Sequence, residues 1–159
     1  MLHDNYGLLE LPEIARRENG KPFFANHPEI EFNVSDSNGC SLCALSDFPI
    51  GVDVEFIKPR KDGLARHVFS SREWEWFCSR GSKWEDFYIL WTLKEAKVKC
   101  TGMGLRIPAC EISVPLIDSG EEAYFDGFHF TALSIENFKG AICEFDPKRT
   151  GATSGILPS

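Results

Sequence analysis

The chain has 159 residues, 43% of them hydrophobic and 26% charged, with a formal net charge of −7. That is the size and balance of a globular chain able to bury a core. The acidic balance argues against a nucleic-acid binder, which carries a basic footprint, and no stretch approaches the roughly 18 apolar residues of a membrane span. The N-terminus shows no basic segment followed by an apolar run, so the six cysteines are expected to be reduced thiols in a cytoplasmic protein. Cys40 and Cys43 have the spacing of half a zinc knuckle, but no second Cys or His pair matches it, and His3, His27, His67 and His129 show no ligand spacing.

In chain order, residues 8–17 read as a short helix with Pro12 near its start, and Asn19-Gly20-Lys21-Pro22 reads as a turn. Apolar segments at 30–34, 40–45 and 50–56, separated by Ser37-Asn38-Gly39 and Asp47-Phe48-Pro49, predict a strand meander. Ser70 with Glu73 three residues on forms a capping box for a helix reaching Ser79. The longest helix is expected over 84–100, where Phe87, Leu90, Trp91, Lys94 and Val98 recur at helical spacing and Gly102 supplies the stop. Strands follow at 109–116, 122–125, 128–135 and 140–145, with Asp126-Gly127 as a hairpin turn. The expectation is an α+β domain over 1–145 and a flexible, Pro-, Gly- and Ser-rich tail over 146–159. Trp74, Trp76, Phe77, Trp84 and Phe87 sit at helical spacing among apolar residues and are assigned to the core.

Two segments carry chemistry. In Gly51-Val52-Asp53-Val54-Glu55, strand alternation turns Asp53 and Glu55 to one face and Val52 and Val54 to the other. Paired carboxylates are either a wet face or a seat for a hard divalent cation such as Mg²⁺, which takes oxygen ligands and phosphate oxygens together. In Trp91-Thr92-Leu93-Lys94-Glu95-Ala96-Lys97-Val98-Lys99, residues 91, 95 and 99 share one helical face. Glu95 and Lys99 then form either an exposed ion pair or part of a site.

Together these segments resemble the signature of the 4′-phosphopantetheinyl transferases, Gly-x-Asp-x-Glu followed by Trp-x-x-Lys-Glu-x-x-x-Lys. Three further pieces occur in family order: Gly20-Lys21-Pro22, Phe32-Asn33-Val34-Ser35-Asp36-Ser37 (where the family has Phe-Asn-x-Ser-His-Ser) and Phe69-Ser70-x-x-Glu73. The resemblance extends over about residues 20–145. It implies a phosphopantetheinyl transferase-like fold, an antiparallel sheet packed against helices. It implies Mg²⁺ on Asp53, Glu55 and Glu95, with Glu95 as ligand or base, and Lys99 on the phosphates of coenzyme A. It further implies that Lys21 and Ser35 contact the nucleotide. The implied reaction moves phosphopantetheine from coenzyme A to a serine of an acyl or peptidyl carrier protein and releases 3′,5′-ADP.

The sequence departs from the family in two ways. Asp36 replaces the family histidine, setting an anion beside a polyanionic ligand unless its side chain turns away. The motifs are those of the long, two-half members at nearly the length of the short members, so a homodimer or homotrimer is expected to complete the site. The alternative reading is a catalytically impaired member that binds a nucleotide or a partner protein.

Overall fold

The computed structural model describes residues 1–104 and 107–147. After a short helix α1 (Leu2–Tyr6), two strands, β1 (Ile14–Arg16) and β2 (Pro22–Phe24), close a small hairpin. A second hairpin joins β3 (Glu31–Ser37) to β4 (Cys40–Ser46), and β5 (Ile50–Phe56) follows. The helices are α2 (Leu64–Val68), α3 (Ser71–Ser79) and α4 (Trp84–Thr101). Strands β6 (Glu122–Phe125), β7 (Phe128–Ile135) and β8 (Phe138–Phe145) complete the described chain, and β5-β8-β7-β6 form a four-stranded antiparallel sheet. This is the expected α+β architecture. The expected tail lies outside the described residues from 148 onward.

Three expectations fail for physical reasons. Residues 8–17 are not helical: Pro12 can donate no helical hydrogen bond, and Ile14, Ala15 and Arg16 instead pair with Phe24, Phe23 and Pro22. Residues 109–116 are not a strand. They form a 3₁₀ turn (Ala109–Glu111) and irregular chain, because their carbonyls are spent on lysines: Ala109 and Ile112 accept from Lys94 Nζ at 2.8 and 2.7 Å, and Ser113 from Lys97 Nζ at 3.0 Å. The meander stops at β4, since β5 takes β8 as its backbone partner.

The predicted helix signals do hold. Ser70 Oγ accepts the Glu73 N–H while Glu73 Oε2 accepts the Ser70 N–H at 2.8 Å, closing the capping box. Gly102 ends α4 in the left-handed region at φ +68°, where a side chain would be strained. The main core lies between α4 and the sheet, with Phe87, Tyr88, Leu90, Leu93, Phe130 and Ala141 fully buried. Phe77 is buried there too, and Trp74, Trp76 and Trp84 pack against it, as their helical spacing implies.

Candidate active site

Gly51 explains how the two motif segments meet. A Cβ at this position would lie far inside van der Waals contact with the Ala96 carbonyl and the Cys100 backbone nitrogen, so α4 rests directly on β5 there. That close approach brings the helix face of Glu95 and Lys99 over the strand face of Asp53. Between Asp86 and Cys100 every residue of α4 is buried except Trp91, Glu95 and Lys99. A helix buried nearly all round thus keeps one open stripe, and the stripe is the one predicted from the i, i+4 spacing.

Asp53 is buried, 5% exposed. Its Oδ1 accepts from Lys99 Nζ at 2.7 Å and from Ser35 Oγ at 3.0 Å, and Lys99 Nζ also reaches Ser35 Oγ at 2.9 Å. Its Oδ2 is buried with no hydrogen-bond partner among the described residues. Burial pushes the Asp53 carboxyl above the usual carboxylate range; Lys99 and the Ser35 hydroxyl oppose that rise and Glu55 adds to it. Glu95 is likewise raised, first by burial and then by Asp53, with Lys99 opposing and Glu55 contributing. Glu55 accepts long hydrogen bonds from Trp91 Nε1 at 3.4 Å and Ser37 Oγ at 3.5 Å.

Asp53, Glu55, Glu95, Lys99 and Ser35 are therefore drawn to one place. Lys21 is not. Its ammonium is held by Glu31 at 3.1 Å and by the Cys100 carbonyl at 3.4 Å. Asp36 is exposed on β3, whereas its neighbour Ser35 is buried, so the acidic departure turns away from the carboxylates. The sequence reading missed Ser37 and Trp91 as partners of Glu55. It also missed that Asn33, Ser35 and Ser37 bind β5: Asn33 Oδ1 accepts the Val52 N–H at 2.8 Å, Ser35 Oγ the Val54 N–H at 3.4 Å and Ser37 Oγ the Phe56 N–H at 3.2 Å. The signal was present as a constant offset of 18–19 residues between two strands of period-2 pattern.

The donors suit a hard cation. All are oxygens, and one buried carboxylate oxygen is unpartnered. Among the described residues no three His, Cys, Asp or Glu side chains stand assembled as a ligand group. Mg²⁺ characteristically takes one or two carboxylates and completes its shell with water and substrate phosphates.

A family model described as the 4′-phosphopantetheinyl transferase superfamily matches residues 49–144, which hold both motif segments. A 4′-phosphopantetheinyl transferase of Bacillus subtilis is 32% identical over 139 residues, covering 82% of this chain and 62% of its own length. The 4′-phosphopantetheinyl transferase AcpT of Escherichia coli K12 is 34% identical over 148 residues, covering 90% of this chain and 71% of its own. The chain thus spans about three-fifths of the length of the Bacillus relative. Among solved structures, the holo-[acyl-carrier-protein] synthase of Thermotoga maritima superposes with a TM-score of 0.51 at 20% identity, over 62% of this chain and 63% of the other, a likeness of fold. On the family match and these identities, the chain belongs to the 4′-phosphopantetheinyl transferase superfamily.

Proposed function

We propose that this chain transfers the 4′-phosphopantetheine group of coenzyme A to a serine of an acyl or peptidyl carrier protein in the presence of Mg²⁺, with 3′,5′-ADP as the other product. The observation that carries the reading is the buried Asp53 carboxylate, one oxygen shared by Lys99 and Ser35 and the other without a partner among the described residues, facing the open stripe of α4. A buried anion with unfilled capacity is costly unless a cation completes it.

Asp53 and Glu55 would hold Mg²⁺, with Glu95 beside them as third ligand or as base. When bound, the ion would supply charge stabilisation for the pyrophosphate oxygens. Lys99 spends two of its three donors on Asp53 and Ser35, and the third is available for a phosphate oxygen. The carrier serine oxygen attacks the phosphorus that bears the pantetheine arm. The bond from that phosphorus to the bridging oxygen breaks, and its electron pair leaves with 3′,5′-ADP. The serine proton needs an acceptor, and the raised proton affinity of Glu95 suits it to that role. Lys21 is a weaker candidate for the nucleotide, because a phosphate would compete there with Glu31.

The test is incubation of the chain with Mg²⁺, coenzyme A and several apo carrier proteins, with mass spectrometry of the carrier. The expected result is a phosphopantetheine mass addition that Asp53→Ala abolishes. Undiminished modification by Asp53→Ala would overturn the assignment. Coenzyme A binding with no transfer to any carrier would favour the impaired-member alternative.

A further inference from the structure

We propose that Ser35 and Ser37 are positioning residues that orient the two carboxylates of β5, and that the segment Asn33-x-Ser35-x-Ser37 is the complement of Gly51-x-Asp53-x-Glu55. The proposal rests on the metal-site reading above.

The hydrogen-bond inventory of each serine fixes its polarity. A hydroxyl has one proton to give and two lone pairs to receive. Ser35 Oγ faces the Val54 N–H at 3.4 Å and the Lys99 ammonium at 2.9 Å, and both of these can only donate. Both lone pairs are then taken, and the single hydroxyl proton goes to Asp53 Oδ1 at 3.0 Å. Ser35 has no second proton for a nucleotide phosphate, so its work is to hold Asp53 and Lys99 together. Ser37 repeats the rung two residues on. Its oxygen accepts the Phe56 N–H at 3.2 Å, and its proton faces Glu55 Oε2 at 3.5 Å.

Each serine is thus bracketed by a carboxylate and by the N–H of the residue after it on β5. The third rung lacks the carboxylate. Asn33 accepts the Val52 N–H at 2.8 Å, but residue 51 is glycine, where α4 sits. Among the described strands β5 takes backbone partners from β8 alone, and its other edge is met by these three side chains. The seam accordingly does two jobs. All three rungs join the β3–β4 hairpin to the main sheet, and two of them also aim the carboxylates. Partners that orient metal-ligating groups typically contribute 10- to 100-fold to metal affinity.

Asn33 is the internal control. The experiment titrates Mn²⁺ into the 159-residue chain with coenzyme A present, reading free Mn²⁺ by electron paramagnetic resonance, alongside thermal unfolding. Ser35→Ala and Ser37→Ala should each weaken Mn²⁺ about tenfold. Ser37→Thr, which keeps the hydroxyl, should restore the affinity of the unsubstituted chain. Asn33→Ala should lower the melting temperature and leave the Mn²⁺ affinity of the folded protein unchanged. Coenzyme A binding measured without metal should be unaffected by Ser37→Ala, since Ser37 touches Glu55 and the Phe56 N–H and not Lys99. Unaltered Mn²⁺ affinity in both serine variants, equal loss in Asn33→Ala, or weakened metal-free coenzyme A binding in Ser37→Ala would each overturn the inference while leaving the metal site standing. Absence of Mn²⁺ binding by the unsubstituted chain would overturn the metal site and this inference with it.

Discussion

Helix α4 carries two lysines, five residues apart in the sequence, that each meet a buried carboxylate and have opposite characters. Lys94 is 1% exposed, and its three donors are filled by Glu73 at 2.8 Å and by the carbonyls of Ala109 and Ile112. Glu73 in turn caps α3 through the Ser70 N–H. Burial pulls the Lys94 ammonium below the usual lysine value, and Glu73 opposes that. Lys99 has a 29% exposed side chain and spends two donors, while Asp53 beside it keeps an oxygen unpartnered among the described residues. The first pair is saturated and closed; the second has capacity left over and opens on solvent. Ion-pair chemistry by itself therefore does not mark a site. Unfilled hydrogen-bonding capacity beside an opening does.

The sharpest way to break that comparison is to cut both lysines. Lys94→Ala leaves Glu73 buried without its partner and frees the carbonyls of the 109–113 segment, so it should destabilise the fold by about 3–5 kcal/mol in chemical denaturation. Lys99→Ala removes a partly exposed ammonium. It strands the buried Asp53 carboxylate beside an opening to solvent, so it should cost about 1–3 kcal/mol of stability, less than Lys94→Ala, but slow transfer to a carrier by about 10²-fold, the scale of losing one preorganised donor. If the two variants lost stability equally, the pairs would not differ in kind.

The sequence made one pair legible and hid the other. Asp53, Glu55, Glu95 and Lys99 follow simple periods, two along a strand and four along a helix, and the structure brings them together. Lys94 and Glu73 lie in the same motifs, but their pairing depends on how α3 packs beside α4, which no local period encodes. The failed strand at 109–116 has the same origin: its apolar residues promise a strand, and lysines on α4 claim its carbonyls. The helix expected at 8–17 lost to pairing with a strand beyond the turn at residues 17–21, a competition invisible in a window of ten residues. The seam between β3 and β5 was readable in principle, since Asn33, Ser35 and Ser37 run in step with Gly51, Asp53 and Glu55. The strand order was not, since adjacent segments in the sequence suggested that β4 and β5 pair.

Gly51→Ala tests whether the open pair depends on the contact between α4 and β5. The added methyl would meet backbone atoms of Ala96 and Cys100, which have no flexible end to move aside. The expected loss is about 1–3 kcal/mol of stability. Because the helix must shift away from the strand that holds Asp53, transfer activity should fall further than the stability loss alone explains, measured at a temperature where the variant is folded. A stable variant with normal activity would show that α4 needs no close seat on β5.

The smallest expected effect concerns the sign of a neutralisation. Burial and the nearby Asp53 raise the Glu95 carboxyl above its ordinary value, which is about 4.3 in an unfolded chain. A raised folded value means that folding favours the protonated form. The contribution of Glu95 to stability is therefore fully present below the unfolded value and is lost as pH rises through the folded one. Above that point the ionised group works against the fold, and Glu95→Gln removes the burden. With divalent ions chelated, Glu95→Gln should melt slightly above the unsubstituted chain at pH 7–8, and the advantage should disappear as pH falls to about 4. Glu73→Gln should do the opposite at neutral pH, because it strips the charge that compensates the buried Lys94. Thermal unfolding of both variants across this range decides the matter. A lower melting temperature for Glu95→Gln at pH 8 would place Glu95 in the closed class with Glu73, and the distinction between the two pairs on α4 would fail.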